Sequence, residues 1–116
     1  MKPIRFVGAS KNDLSAFPAS ARNRAGHDLF MVQCNRSPAD WKPMSGIGPG
    51  ACEIRIRVSA GAYRLIYVAC FDDAVYVLHA FQKKTQKTSK GDLELARQRY
   101  REAEAFSKRN STWPAK

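Results

Sequence analysis

The sequence predicts an α+β domain: a small, twisted, mostly antiparallel sheet with helices ahead of it and a single helix behind it. Three observations lead to this class. Apolar residues recur every three or four positions from Leu14 to Val32, and again from Leu93 to Phe106. Between these stretches, over 53–82, the period falls to two or the residues become continuously apolar. A segment rich in Pro, Gly and Ser, 35–51, separates the first helical stretch from the strands. A chain of 116 residues fits one domain. That domain is expected over 1–106, with a disordered, frayed tail over 107–116.

The elements follow in order. "PIRFVG" (3–8) forms a short first strand, and Ser10 and Asp13 are candidate helix caps. Leu14, Phe17, Ala21, Ala25, Leu29 and Val32 make a helical stripe, which Pro18 divides into a pair of helices or a kinked one. Arg22, Arg24 and Asp28 lie on its other face. Trp41 and Met44, in the loop that follows, are expected to plug into the core. In "EIRIRV" (53–58), Ile54, Ile56 and Val58 point one way and Glu53, Arg55 and Arg57 the other. "SAGA" (59–62) makes a hairpin turn. "YRLIYVACF" (63–71) is apolar on both faces apart from Arg64, so it belongs in the middle of the sheet, with Cys70 as a small core residue. "DDA" turns the chain into the third strand of the meander, "VYVLHAFQ" (75–82). Parity places His79 with Val75, Val77 and Phe81, as a core histidine rather than a base. Ser89 and Asp92 resemble a capping box for the last helix, whose stripe is Leu93, Ala96, Tyr100, Ala103 and Phe106. The helices are expected on one face of the sheet, leaving the other face or its rim to Arg55, Arg57 and Arg64.

Composition excludes several classes. Charged residues make up 26% and apolar ones 44%, which is globular rather than disordered. No run of about 18 apolar residues is present to span a membrane, and no membrane partner is expected. The N-terminal stretch has no apolar core of the signal-peptide kind, so the expected compartment is the cytoplasm. Cys34, Cys52 and Cys70 are odd in number and widely spaced, which speaks against a disulfide framework. Neither a metal nor a cofactor is expected, and the weak alternative is a site built from His27, His79 and a cysteine. The formal net charge is +10, which implies a polyanionic partner: nucleic acid, a ribosome or an acidic protein. The plainer reading is a basic protein that is merely soluble.

The cations are placed to converge. Arg55 and Arg57 share one face of a strand, and Arg64 opens the strand paired with it. Lys83 and Lys84 end the next strand, and in an up-down-up meander that end lies beside the start of its neighbour, close to Arg64. Arg64 interrupts an apolar strand, so it must reach solvent, a carboxylate such as Glu53 or Asp73, or a bound anion. As an anion clamp it offers a planar, bidentate fork. Lys83, Lys84, Lys87 and Lys90 precede the last helix. Cations there oppose the helix dipole, whereas a phosphate on the free N–H groups would suit it. A solvated loop is the plainer reading of this turn.

At these residues the chain resembles a known family. "YRLIYVACFDDAVYVLHAFQKKTQKTSKGDLELARQRYRE" (63–102) closely resembles the phage-derived HigB-like toxins, within the RelE/ParE superfamily of type II toxin–antitoxin toxins. "YRLIY" is a weak motif alone. "HAFQKKTQKTS" running into "DLELARQRY" is long and specific, and "WKPMSGIGPGACEIRIR" (41–57) also fits. The resemblance implies a RelE-like fold and a metal-independent endoribonuclease (an mRNA interferase) that cuts ribosome-bound mRNA and so inhibits translation and growth. It implies a cognate helix-turn-helix antitoxin as partner, in a hetero-oligomer. It also implies site roles: Arg64 as a phosphate and transition-state contact, Lys84 with Lys83 for leaving-group or phosphate work, and Arg55 and Arg57 as substrate-contacting cations. Lys87 and Lys90 would add substrate binding. A tyrosine that some RelE-type enzymes carry near the final helix has no clear counterpart, since Tyr100 lies too far along. A lysine whose pKa is lowered by crowding cations is then the candidate base. Two other readings share these residues: a non-enzymatic ParE-like toxin that inhibits gyrase, and a non-catalytic RNA-binding module.

Overall fold

A computed structural model describes residues 1–84 and 87–110, with only the backbone described at Asn110. Strand β1 (Ile4–Phe6) leads into helices α1 (Ser10–Ser15) and α2 (Ala19–Gln33). Strands β2 (Trp41–Pro43), β3 (Ala51–Val58), β4 (Gly61–Val68) and β5 (Val75–Lys83) follow, and helix α3 (Lys90–Asn110) comes last. The five strands form one sheet in the order β1-β5-β4-β3-β2. Only β1 is parallel to its neighbour, so the sheet is mostly antiparallel, as the sequence predicts.

Local chemistry accounts for the boundaries. Pro18 separates the helices: its ψ of 153° is extended, and its carbonyl accepts from Arg22 N–H at 2.8 Å to begin α2. Gly61 closes the β3–β4 hairpin at φ +140°, where a side chain would be strained. Ser89 caps α3, its Oγ accepting from the Asp92 N–H at 3.1 Å and donating to the Asp92 carboxylate at 2.7 Å. The sequence-predicted box therefore closes side chain to side chain.

Both faces of the sheet are buried. Ile54, Ile56, Tyr63, Leu65, Tyr67, Val75 and Val77 face Ala21, Ala25, Leu29 and Val32 of α2. Ile66, Val68, Tyr76 and Leu78 face Ala96, Tyr100 and Ala103 of α3, with Ile47 of the preceding loop. Burying each large aliphatic side chain contributes about 1.5–3 kcal/mol. The expectation of helices on one face is thus corrected. The continuously apolar strands β4 and β5 need cover on both faces, and α3 returns along the face opposite α2.

Four further readings change. Trp41 is 39% exposed and lies on the three-residue edge strand β2, not in the core. Cys70 falls beyond the end of β4 and is exposed. His79 leaves the company of Val75 and Val77, because the pairing slips between Ile66↔His79 and Tyr67↔Val77. The skipped residue, Leu78, sits in a β-bulge, and the slip turns His79 towards α3. Arg99 donates to the Leu78 carbonyl at 2.9 Å and lies 3.6 Å from Asp13, so it joins α3, the bulge and α1. Finally, α3 continues past Phe106 to Asn110. The rest of the expected tail, 111–116, lies outside the described residues, as do Thr85 and Gln86 of the lysine turn.

Asp73, in the β4–β5 turn, gathers the first and last elements. It accepts from Tyr76 Oη at 2.5 Å and Ser107 Oγ at 2.6 Å, and Arg5 Nε lies 3.9 Å away. Arg5 also covers the Phe106 ring, 5.1 Å from its centroid.

Candidate active site

Strand register lays the cations out in rows on one face. Arg55 pairs with Arg64, and Arg64 with Phe81. Arg57 pairs with Ala62, and Ala62 with Lys83. Cross-strand partners point to the same side, so Arg55, Arg57, Arg64 and Lys83 share the α3 face. α3 packs over Ile66, Val68, Tyr76 and Leu78, towards the other ends of these strands, and begins only at Lys90. The basic corner therefore stays uncovered by the helix. Lys42 extends it, because β2 places Lys42 opposite Glu53 on the same face. Sequence reasoning missed Lys42, since a three-residue strand containing a proline leaves no periodic signal.

Each arginine has a distinct environment. Arg64 is 8% exposed, with its Nε 3.4 Å from Glu53 Oε1 and its Nη1 donating to the Tyr63 carbonyl at 3.3 Å. Burial pulls its pKa below the ordinary guanidinium value, and the Glu53 carboxylate opposes that shift. Of the two carboxylates weighed for Arg64, Glu53 is the one beside it, while Asp73 lies in the β4–β5 turn. Arg55 is held by Asp40 from β2's approach: Nη2 is 2.9 Å and Nε 3.1 Å from Asp40 Oδ1. Arg57 is exposed.

Lys83 lies between these cations and solvent, half-buried at the end of β5. Its pKa is lowered, first by desolvation and then by Arg64, with Lys42 and Arg55 adding to the effect against Glu53. Lys84 follows at the end of β5 and is exposed. Lys83, Lys84 and Lys87 line a cavity of about 200 Å³ with Phe81, Gln82, Ser89 and Asp92. Lys90, exposed at the start of α3, is not among the described residues lining it.

Behind the cavity, His79 Nε2 lies 2.7 Å from Asp92 Oδ1, and its ring stacks on Phe81 at 4.8 Å between centroids. This is a buried histidine, as in the plainer reading, but only Nε2 is partnered: Nδ1 has no hydrogen-bond partner among the described residues. His27 is exposed on α2, across the sheet from His79, so the weak metal set is not assembled. Tyr100 is buried against α3's face of the sheet and donates to the Pro49 carbonyl at 2.6 Å, which makes it a packing residue.

Such a five-stranded, mostly antiparallel sheet with helices packed on both faces has the RelE-type α+β fold. The structure of E. coli toxin RelE, an arginine double mutant in the free state, matches it with a TM-score of 0.58 at 17% identity, covering 87% of this chain and 96% of that one. At that identity the likeness concerns the fold. Membership is settled by sequence: residues 12–101 match the family described as "Phage derived protein Gp49-like", and the chain belongs to it. The resemblance to phage-derived RelE/ParE-superfamily toxins thus agrees with both family and fold. Among curated proteins nothing matches.

Proposed function

We propose that the protein is the toxin of a type II toxin–antitoxin pair and acts as a metal-independent endoribonuclease on ribosome-bound mRNA. The observation that carries this reading is the row arrangement that gathers Arg55, Arg57, Arg64 and Lys83 on one corner that α3 does not cover, with Arg64 itself buried, next to the cavity lined by Lys83, Lys84 and Lys87. RNA supplies its own nucleophile. The 2′-oxygen forms a bond to phosphorus while the bond from phosphorus to the 5′-oxygen breaks. One proton leaves the 2′-OH and another reaches the departing 5′-oxygen. Lys83, with its lowered pKa, accepts the first. Lys84 donates the second. Arg64 binds the phosphoryl oxygens as negative charge grows on them, and Arg55 and Arg57 hold the flanking backbone. Lys87 and Lys90 extend that grip along the turn.

The antitoxin is proposed as a helix-turn-helix protein that binds this chain in a hetero-oligomer. No helix among the described residues is long and apolar enough to cross a membrane; the site of action is proposed as the cytoplasm, where ribosome-bound mRNA is found.

The test is inducible expression followed by mapping of mRNA 5′ ends. Wild type should arrest growth and generate new ends within coding sequences. Arg64→Ala combined with Lys84→Ala should remove both effects while circular dichroism stays unchanged. New ends and arrest persisting in that variant would defeat the assignment. Intact mRNA with DNA-damage signalling would point to gyrase inhibition, and binding without cleavage to an RNA-binding module.

A further inference from the structure

The basic corner contains a fully buried group that works against its charge. Glu53 is 0% exposed, and a buried carboxylate is tolerated only when it is paired. Its two oxygens are divided between two elements. Oε1 lies 3.4 Å from Arg64 Nε across the β3–β4 pair. Oε2 accepts from Thr88 Oγ1 at 3.0 Å, at the exit of the lysine turn. Among the described residues, neither Oε1 nor Arg64 Nε has a hydrogen-bond partner, so the contact between them is an ion pair and not a hydrogen bond. The next residue along, Ser89, binds Asp92, which in turn meets His79 on β5. Residues 88–89, which lead into α3, are thus tied to β3 through Thr88 and to β5 through Ser89 and Asp92.

A carboxylate here lowers the corner's affinity for an anion, so affinity does not explain it. What it supplies is direction. A guanidinium fork is useful only when its plane is aimed, and a turn carrying lysines is useful only when its exit is fixed. We infer that Glu53 and Thr88 are positioning residues: Glu53 orients Arg64, and through Thr88 it fixes the segment that enters α3 to the same frame, so that Arg64, Lys83, Lys84 and Lys87 address one phosphodiester. This rests on the nuclease reading for its catalytic consequence, but the Glu53–Thr88–Arg64 linkage is a property of the folded chain alone.

The test uses Glu53→Gln, Thr88→Val and Thr88→Ser, with three readouts. The first is the Nε–Hε nuclear magnetic resonance signal of Arg64. It should be displaced from free arginine in wild type and Thr88→Ser, and should move towards the free position in Thr88→Val as well as in Glu53→Gln. An Arg64 signal unmoved by Thr88→Val overturns the inference, whatever the activity. The second is binding of a non-cleavable 2′-O-methyl RNA oligonucleotide, which should not weaken in Glu53→Gln because a negative charge has been removed. The third is single-turnover cleavage, which should fall roughly ten- to hundredfold in both Glu53→Gln and Thr88→Val, as expected for a misdirected group. The double variant should fall no further than the worse single one, and Thr88→Ser should be rescued. Binding and cleavage declining together with the melting temperature, or additive losses in the double variant, would reduce both residues to structural ones and overturn the inference. A wild type that binds RNA but cuts nothing would defeat the nuclease reading alone, leaving the Arg64 signal to decide the linkage.

Discussion

Lys83 illustrates how much one position depends on its neighbours. In water its ammonium would titrate near 10.5; desolvation and Arg64 make the charged form harder to keep. The folded state therefore binds this proton less readily than the unfolded chain, so at neutral pH the group is a cost to stability. That cost eases as pH rises through the lowered pKa towards 10.5. If Lys83 is the base, cleavage should increase with pH and level off below 10.5. In Lys83→Arg, which keeps the charge but cannot titrate in this range, the rising limb should disappear. A pH–rate series at constant ionic strength measures both. The sequence made this residue legible only in part. Its place beside Arg64 followed from meander parity. Glu53's burial, Asp40's grip on Arg55 and Lys42's arrival from β2 did not, because each depends on contacts across strands that no local pattern records.

At the level of elements, segments with strong local chemistry were readable. Pro18 had to separate two helices, Gly61 had to close a hairpin, and Ser89 had to open α3. Segments whose placement is decided by partners were not. β2 exists because β3 offers an edge, and the bulge at Leu78 moves His79 out of its expected company. Trp41 and Cys70 looked like core residues by composition, yet an edge strand and a strand end place both outside. The loop before β3 also has an unadvertised role. Gly48 lies flat against the Tyr100 ring, and a Cβ built there would stand 2.5–2.6 Å from three ring carbons. Gly48→Ala should lower the unfolding free energy by about 1–3 kcal/mol through overpacking, measurable by urea titration. Tyr100→Ala in the same background should recover part of that strain while adding its own loss.

Across the whole molecule, charge and topology act together. The chain carries +10 overall, and the sheet concentrates part of that excess at the corner beyond α3. About four phosphate contacts would make the logarithm of single-stranded RNA affinity fall with a slope of roughly −3 against the logarithm of salt. Arg57→Ala should reduce the steepness by about 0.7. Arg55→Ala should change it less, because Asp40 already holds that guanidinium. Fluorescence anisotropy over a salt series compares the three proteins. The fold class was legible from periodicity alone. The burial of both faces was not, since it depends on which side a returning helix chooses.

The opposite end of the sheet has its own consequence. Asp73 clasps β1 through Arg5, the β5 strand through Tyr76 and the last turns of α3 through Ser107. The first and last elements of the chain are therefore buttoned by one carboxylate, at the end of the sheet away from the basic corner. In Asp73→Ala, amide hydrogen exchange should quicken together in β1 and in the closing turns of α3, while β3 and β4 stay protected. The molecule would loosen at its seam and keep its working end intact.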